Sequence, residues 1–379
     1  MPKGDTWPSE IQEYTEPETG VRVRRLTGSS ADDHHLYFTA SSYTADGKHI
    51  VFGSERSGKS QLHLLDLETG KIVQLTDDDK VRSQSSVVHG EKNLAYFICG
   101  QQLRSVNLDT LEEEVLYDCP EGFGIALPTI TADGSHLAFA YSEKLTLSTE
   151  TGIIYSTMHE HFFRRPASVI MRIETETGKA LACWGEHAWI SHVCIHPTDP
   201  DFILFCHEGS WGHVKQRMWT VKVGETPAQA HKLYAQQNNE SVGHEYWTRN
   251  GEVGFQCSVR SEGETLAFDC FVRRDGTWIR QYLWPSGQRA SHIQSNSDNS
   301  QVVGDSAFLG PDDADGRNWM GLITHEEGRC KVSRLCRHDT SWKTQISHPH
   351  PIYSPDDRCV LFTSDTGGTC NVYEAQVRE

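Results

Sequence analysis

The sequence lacks any apolar run that approaches the ~18 residues needed for a membrane-spanning helix. Its first residues, Met1–Pro8, also lack the apolar core of a secretory signal peptide. Hydrophobic residues make up 37% of the 379 positions, which fits a globular protein whose strands are half buried. We therefore expect no membrane partner and a cytoplasmic location.

Basic residues are scarce relative to acidic ones. The chain has 35 Lys and Arg against 52 Asp and Glu, a formal net charge of −17. Such a surface repels nucleic acids and anionic membranes, and a small anionic substrate would need a local basic pocket. The composition disfavours a nucleic-acid partner, and we expect none; it leaves the oligomeric state open.

Several common catalytic signatures are also absent. No GxSxG nucleophile elbow, P-loop or Rossmann glycine fingerprint occurs, which disfavours a serine hydrolase and nucleotide chemistry. Eleven cysteines are scattered without a CxxC pair, a pattern typical of reduced, buried thiols rather than zinc ligands. Histidine, by contrast, is abundant, with 20 residues that suit proton transfer or metal ligation near neutral pH.

A turn followed by a short alternating strand recurs along the chain. The turns centre on residues 46, 91, 133, 199, 250, 298 and 356, and they lie 42 to 66 residues apart. A period in the forties with insertions is typical of a β-propeller with four strands per blade. The last unit ends one strand short, so we expect the amino-terminal strand Val21–Thr27 to complete it and close the ring. The sequence predicts an all-β, seven-bladed β-propeller of antiparallel strands that occupies residues 1–379 as one domain.

Two segments are longer than a bare blade requires. Residues 142–168 include the basic pair Arg164 and Arg165, and residues 305–320 include the acidic run Pro311–Arg317. Insertions in loops often shape a binding face. Arg164 and Arg165 are therefore candidate substrate-binding residues for an anion, whereas the acidic run is equally compatible with surface decoration.

The segment Gln345–Pro351 holds the densest set of metal-ligand side chains. His348 and His350 are two residues apart and leave the same face of an extended strand, which Gln345 can reach from the preceding turn. Two imidazoles and an amide oxygen leave room for water and a substrate oxygen on a borderline or hard ion. Two surface histidines stiffened by the flanking prolines are an equally good explanation of the motif taken alone.

Three other histidine segments precede this one, around His207, His244 and His292. The last two fall just ahead of a recurring turn, as His348 and His350 do, so equivalent blade positions would bring them to one end of a central channel. His292 then supplies the missing ligand beside Gln345, His348 and His350, and Mn²⁺ or another divalent cation suits three nitrogens and one oxygen. His207 is a candidate substrate-binding residue.

Eight ordered motifs resemble those of a known family. They are Phe205–Gly209, Arg217–Trp219, His244–Trp247, Ser291–His292, Val303–Asp305, Thr340–Trp342, Gln345–Pro351 and Leu361–Asp365. The chain is thereby similar to the oligogalacturonate lyases of polysaccharide lyase family 22. The resemblance implies a seven-bladed propeller with Mn²⁺ on His292, Gln345, His348 and His350, a catalytic base at His244 and an active-site arginine at Arg217. The segment Asp32–Phe38, the loop Ser210–Gln216 and residues 142–168 depart from the family pattern, which leaves the exact uronide open.

The same residues suit β-elimination from a uronide on chemical grounds. Removal of the C5 proton creates a dianionic enolate, whose charge a metal on the carboxylate relieves, while a neutral His244 accepts the proton. Arg217 offers a planar fork for a carboxylate or oxyanion. We therefore predict a lyase that converts short acidic oligogalacturonides to 4,5-unsaturated uronides. The alternatives are a lyase for another uronide-containing oligosaccharide and a non-catalytic propeller that serves as an interaction scaffold, which has no need of convergent ligands.

Overall fold

Short antiparallel strands account for most of the regular backbone. The computed structural model describes residues 2–148, 157–210, 212–261, 263–306 and 315–377. Within these ranges it contains one α-helix, α1 (Met158–Arg164), and 3₁₀ turns at Gly90–Lys92, Gly316–Asn318 and Gln345–Ser347. The predicted all-β class is confirmed. No helix of the described ranges is long and apolar enough to cross a membrane.

The strands are two to ten residues long. In chain order they are β1 (Thr6–Trp7), β2 (Gln12–Thr15), β3 (Arg22–Arg25), β4 (Asp33–His35), β5 (His49–Ser54), β6 (Gln61–Asp66), β7 (Ile72–Gln74), β8 (Val81–His89), β9 (Leu94–Cys99), β10 (Gln102–Asn107), β11 (Glu113–Asp118), β12 (Phe123–Ile125), β13 (Thr129–Ile130), β14 (His136–Glu143), β15 (Ala167–Glu174), β16 (Ala180–His187), β17 (Ile190–Ile195), β18 (Phe202–His207), β19 (Met218–Lys222), β20 (Ala230–Lys232), β21 (Glu240–Trp247), β22 (Glu252–Ser261), β23 (Glu264–Arg273), β24 (Arg280–Leu283), β25 (Ile293–Ser295), β26 (Gln301–Asp305), β27 (Trp319–Glu326), β28 (Arg329–Arg337), β29 (Ile352–Tyr353), β30 (Cys359–Ser364) and β31 (Asn371–Gln376).

Neighbouring strands in the chain pair with each other in up-and-down order. The sheets run β1-β7-β6-β5-β4, β11-β10-β9-β8, β12-β14-β15-β16 with β13 also on β14, β17-β18-β19-β20, β2-β3-β31-β30-β29 and β21-β22-β23-β24-β28-β27-β26-β25. In the last sheet a single parallel pair, Leu283 with Arg329, joins two groups of four antiparallel strands. The amino-terminal β3 pairs with the carboxyl-terminal β31, with Val23 opposite Ala375, so the two ends of the chain share one sheet.

Side-chain hydrogen bonds shape the recurring turns. Asp46 accepts from the Thr44 hydroxyl at 2.6 Å and from the Lys48 amide at 3.1 Å, and Gly47 takes a φ of 67° that suits glycine. Asp133 and Asp356 accept equivalent pairs of hydrogen bonds in their own turns. The marker at residue 91 differs, because Gly90–Lys92 is a 3₁₀ turn. The same local chemistry thus recurs in three sheets, at the turns between β4 and β5, β13 and β14, and β29 and β30.

A central apolar cluster positions the functional segments. It includes the buried residues Phe38, Tyr246, Ile293 and Ile352. Tyr246 and Ile293 lie on β21 and β25 of the eight-stranded sheet, Ile352 lies on β29 of another sheet, and Phe38 follows β4. His244 precedes Tyr246 by two residues, His292 directly precedes Ile293, and His350 precedes Ile352 by two. Because these apolar side chains pack together, the histidines beside them are brought close in space.

The two long segments are only partly described. In residues 142–168 the described portion includes α1, and residues 149–156 lie outside the described ranges. The acidic run Pro311–Arg317 lies outside them up to residue 314, and its last residues enter the 3₁₀ turn Gly316–Asn318.

Candidate metal and catalytic site

Three buried histidines converge at one point. His292, His348 and His350 each place a ring nitrogen within 4.8 Å of the others. The ring centroids of His292 and His350 are 4.2 Å apart, and His348 lies 5.6 Å from each of them. His292 directly precedes β25, and the other two lie between the 3₁₀ turn Gln345–Ser347 and β29. The structure thus brings together three of the four predicted metal ligands in a dense nitrogen cluster.

A buried carboxylate orients His292. Asp305 Oδ2 lies 2.7 Å from Nδ1 of His292, and its Oδ1 accepts from the amides of Ser291 and His292 at 3.0 and 2.7 Å. Burial raises the pKa of Asp305, but the His292 ring and these hydrogen bonds outweigh burial, so the pKa lies below its ordinary value. With Nδ1 turned to an ionised carboxylate, Nε2 of His292 is left as the ligand atom, an arrangement common around protein-bound metals.

Gln345 lies at the edge of the cluster. Its Nε2 is 3.3 Å from Nε2 of His350, so the amide group reaches one of the histidines predicted to share a metal ion with it. Thr344 caps the 3₁₀ turn by accepting from the Ser347 amide at 3.2 Å, which fixes where Gln345 leaves the backbone. His350 has a φ of 47° between two prolines, an uncommon conformation for a non-glycine residue.

The cluster fits a divalent cation. Burial lowers the pKa of His348 to about 4, with a further contribution from His292, and burial also lowers the pKa of His350 well below its usual value. Both rings are therefore neutral near pH 7, the form that ligates metals. Nδ1 of His348 is buried without a hydrogen-bond partner among the described residues, and such a group is costly unless something else satisfies it.

His244 lies beside the cluster on an irregular part of β21. The pairing of β21 with β22 shifts between Gly243 and Tyr246, and His244 takes a φ of 55° inside this bulge. Its ring centroid is 4.5 Å from that of His292, and it also lines a cavity of about 380 Å³. Desolvation, followed by the neighbouring His292 ring, lowers the pKa of His244 well below its usual range. The bulge thus directs a neutral imidazole toward both the cavity and the cluster.

Arg217 is held in a buried charge network. Its Nε donates to Glu245 at 2.7 Å and its Nη1 to Glu208 at 3.0 Å, while Nη2 lies 3.3 and 3.4 Å from the two carboxylates. Glu245 also lies 3.3 Å from Nδ1 of His192, and its pKa falls below the ordinary value because Arg217 and His192 outweigh the effect of burial. Four of the five N–H groups of Arg217 are thereby used. The sequence predicts that the guanidinium group of Arg217 clamps a carboxylate or oxyanion. In the structure only one of its N–H groups remains for such a contact.

This network leads to a stability prediction. Arg217→Ala leaves the buried Glu245 and the partly buried Glu208 without their cation, so we expect the free energy of unfolding to fall by about 3–5 kcal/mol. Urea denaturation measures the change. Lys331→Ala is the matched control, because its pair with Glu326 is exposed (73% and 63%) and worth about 1 kcal/mol at most. A loss no larger than that of the control would contradict a structural role for Arg217.

The three predicted substrate-binding residues lie in a different region. His207 and Arg165 line a second cavity of about 380 Å³ next to α1, where His207 Nε2 lies 2.9 Å from Glu186 and Arg165 donates to the carbonyl of His187 at 3.0 Å. Arg164 pairs with Glu160 at 3.2 Å on the exposed face of α1. The structure therefore does not bring these side chains into the cavity that His244 lines, although Glu208 connects the second cavity to Arg217.

Two further residues at the site, Phe38 and Tyr37, were not predicted from the sequence. Phe38 packs against three of the histidines, with ring centroids 5.5 to 6.1 Å from His292, His350 and His244. Tyr37 lies 4.9 Å from the ring of His350, and its hydroxyl is 3.3 Å from Nε2 of His192. Both belong to the segment Asp32–Phe38, which departs from the family pattern at the level of sequence. The run of aromatic residues after two histidines was the available signal.

The fold and the site together define a class: an all-β enzyme in which three convergent histidines offer a divalent-cation site beside a further histidine. The particular family follows from the sequence as a whole. The model of the oligogalacturonate lyase family matches residues 1–379, and the chain belongs to that family of polysaccharide lyases. The family that the eight motifs predicted is confirmed.

Individual relatives agree with this assignment. The chain is 29% identical to the oligogalacturonate lyase of Dickeya dadantii (strain 3937), with 100% of this chain and 98% of the relative covered. It is 28% identical to the oligogalacturonide lyase of Pectobacterium atrosepticum at the same coverage. A solved structure of an oligogalacturonate lyase in complex with manganese superimposes with a TM-score of 0.88 and 28% identity, over 100% of this chain and 99% of that one. The lyase activity expected from the sequence is therefore confirmed.

Proposed function

We propose that the protein cleaves short oligogalacturonides by metal-assisted β-elimination. The observation that carries this proposal is the placement of neutral His244 with its ring 4.5 Å from His292, one of three histidines whose nitrogens converge within 4.8 Å. His292, Gln345, His348 and His350 would hold the ion, and Mn²⁺ is the cation named in the related solved structure. When bound, the ion supplies positive charge at the substrate carboxylate and so lowers the cost of the second negative charge that forms there.

His244 is the proposed base. It takes the C5 proton of the sugar whose carboxylate is bound, the electron pair forms the C4–C5 double bond, and the C4–O4 bond breaks. The oxygen leaves with the bonding electrons and gains a proton from water. The lowered pKa keeps the ring unprotonated in the resting enzyme, and the adjacent Glu245 carboxylate stabilises the imidazolium that forms.

Arg217 supports this step indirectly, through Glu245. Its fork holds Glu245, which directly follows His244 in the bulge of β21, at 2.7 Å. We assign Arg217 the positioning of that bulge, with one remaining N–H for an oxyanion. His207, Arg164 and Arg165 remain proposed contacts for a distal part of a longer substrate, since two of them line the second cavity.

We extend the proposal to the architecture and the location. Seven groups of antiparallel strands, one of them completed by β3 on β31, support a single seven-bladed propeller spanning residues 1–379. All eleven cysteines are free thiols, which supports a reducing compartment such as the cytoplasm.

Product profiling tests the function and its substrate range. We expect digalacturonate and trigalacturonate to be cleaved at least about tenfold more efficiently than polygalacturonate, from a chain end, because a surface with a net charge of −17 repels a long polyanion beyond the site. The measurement is ultraviolet absorbance of the unsaturated product, with chromatographic sizing, at fixed ionic strength. Oligomers of other uronic acids serve as the specificity control.

Each alternative has its own outcome in this experiment. Internal cutting of the polymer with a spread of product sizes from the start would contradict reaction at a chain end. Preferred cleavage of another uronide would replace the substrate and keep the chemistry. Absence of unsaturated product from every uronide would favour the interaction scaffold.

A further inference from the structure

Two arginines line the same cavity as the proposed base. Arg289 and Arg317 face the cavity of about 380 Å³ that His244, Ser291, Ser306 and Trp342 also line. The cavity adjoins the metal-ligand cluster on two sides. His244 lies 4.5 Å from His292 between ring centroids, and Trp342 lies 5.0 Å from His348.

The charges of these arginines are open to solvent. Both residues are exposed, and among the residues that the structure describes neither forms an ion pair with a carboxylate. Arg217, by contrast, is buried between Glu208 and Glu245. Acidic residues outnumber basic ones by 52 to 35 in the whole chain. Two arginines beside one cavity therefore create a local positive potential on a protein whose net charge is negative.

The shape of the guanidinium group indicates the ligand. Its planar fork matches a carboxylate in a bidentate pair, and an exposed arginine keeps all its donors for that purpose. We propose that Arg289 and Arg317 bind the carboxylate of the uronate next to the reacting sugar. In digalacturonate this neighbour is the leaving sugar, which departs with the oxygen that was bonded to C4 of the reacting sugar. This inference rests on the proposed elimination, and it adds a binding site to the metal and the base.

The positions of the base and the cluster assign that carboxylate to the neighbouring sugar. The carboxylate of the reacting sugar belongs at the metal ligands, and C5 of that sugar must lie within reach of His244. The cavity extends from His244 to Arg289 and Arg317, so the next sugar of the chain enters it. The enzyme would thus neutralise two successive carboxylates by two different means, a metal and an arginine pair.

The test combines variants with esterified substrates. Steady-state kinetics are measured for the wild type, Arg289→Ala, Arg317→Ala and the double variant on digalacturonate and on its two monomethyl esters. We expect each single variant to lose about tenfold to a hundredfold in kcat/KM on the diacid, mainly through KM. For the wild type, kcat/KM on the ester of the leaving sugar should fall below that on the diacid by a similar factor. For the double variant, kcat/KM should be the same on these two substrates. Lys331→Ala, which removes an exposed positive charge on β28 outside the cavity, controls for net charge.

Further outcomes separate this inference from the proposed function. If the double variant still has a lower kcat/KM on the leaving-sugar ester than on the diacid, the inference is overturned. It is also overturned if the double variant loses only the difference in kcat/KM between the diacid and the ester of the reacting sugar. Metal content by elemental analysis should equal that of the wild type in every variant. If the wild type produces no unsaturated sugar at all, the lyase proposal fails. Calorimetric titration with digalacturonate then still tests the arginine site. An affinity of the double variant equal to that of the wild type would overturn the arginine site.

Discussion

His348→Ala and His350→Ala are each expected to abolish elimination, leaving only the background rate. Each change removes one nitrogen from a cluster whose ligand atoms lie within 4.8 Å of one another. A site that has lost a ligand binds its cation much more weakly, and without that charge the dianionic state is no longer stabilised. We expect elemental analysis to find one divalent ion per wild-type chain and none in the variants. A chelator should likewise abolish the activity of the wild type, and of the divalent cations added back, Mn²⁺ should restore the most activity.

The fold should persist in these variants. The strands are held by their ladders and by the apolar clusters between sheets, so we expect circular dichroism and the unfolding midpoint to change little. His231→Ala provides the matched control, since this histidine is exposed and pairs with Glu225 on the surface. Full activity of a metal-free wild type in chelator would rule out the metal-assisted mechanism.

His244→Ala is expected to lower kcat by about two to four orders of magnitude while the metal content stays at the wild-type level. The reason is the separation of roles within the site. His292 is oriented by Asp305 at 2.7 Å and faces the cluster, whereas His244 lines the cavity that receives the sugar. His244→Gln tests the same point with a side chain that keeps a polar group but takes up no proton.

Two measurements interpret that variant. Elemental analysis that shows a lost ion would reassign His244 as a ligand, and an unchanged kcat would remove it from the reaction. Slow exchange of the C5 hydrogen in deuterated water, followed by mass spectrometry of recovered substrate, would report on proton removal separately from departure of the O4 group.

The sequence by itself determined the strand class and the local ligand motif. Turn residues such as Asp46 and Gly47 act on their immediate neighbours, so their recurrence predicts where strands begin. The HxH pair is local too, but the extended strand expected for it is absent: both histidines precede β29, and His350 has a φ of 47°. Family membership followed from eight ordered motifs, and the match of the complete chain confirms it.

Only the tertiary structure decided which distant groups meet the motif. Asp305, at the end of β26, contacts His292. Phe38 packs on the histidines from a segment more than 200 residues away, and Glu208 and Glu245 enclose Arg217. The structure also separated Arg165 and His207 from the cavity of His244 and placed Arg289 there instead. The physical reason is that such contacts depend on the packing of sheets and on the path of loops between them. A bulge in β21 or a turn after β28 changes the direction of a side chain without leaving a periodic signal in the residues that surround it.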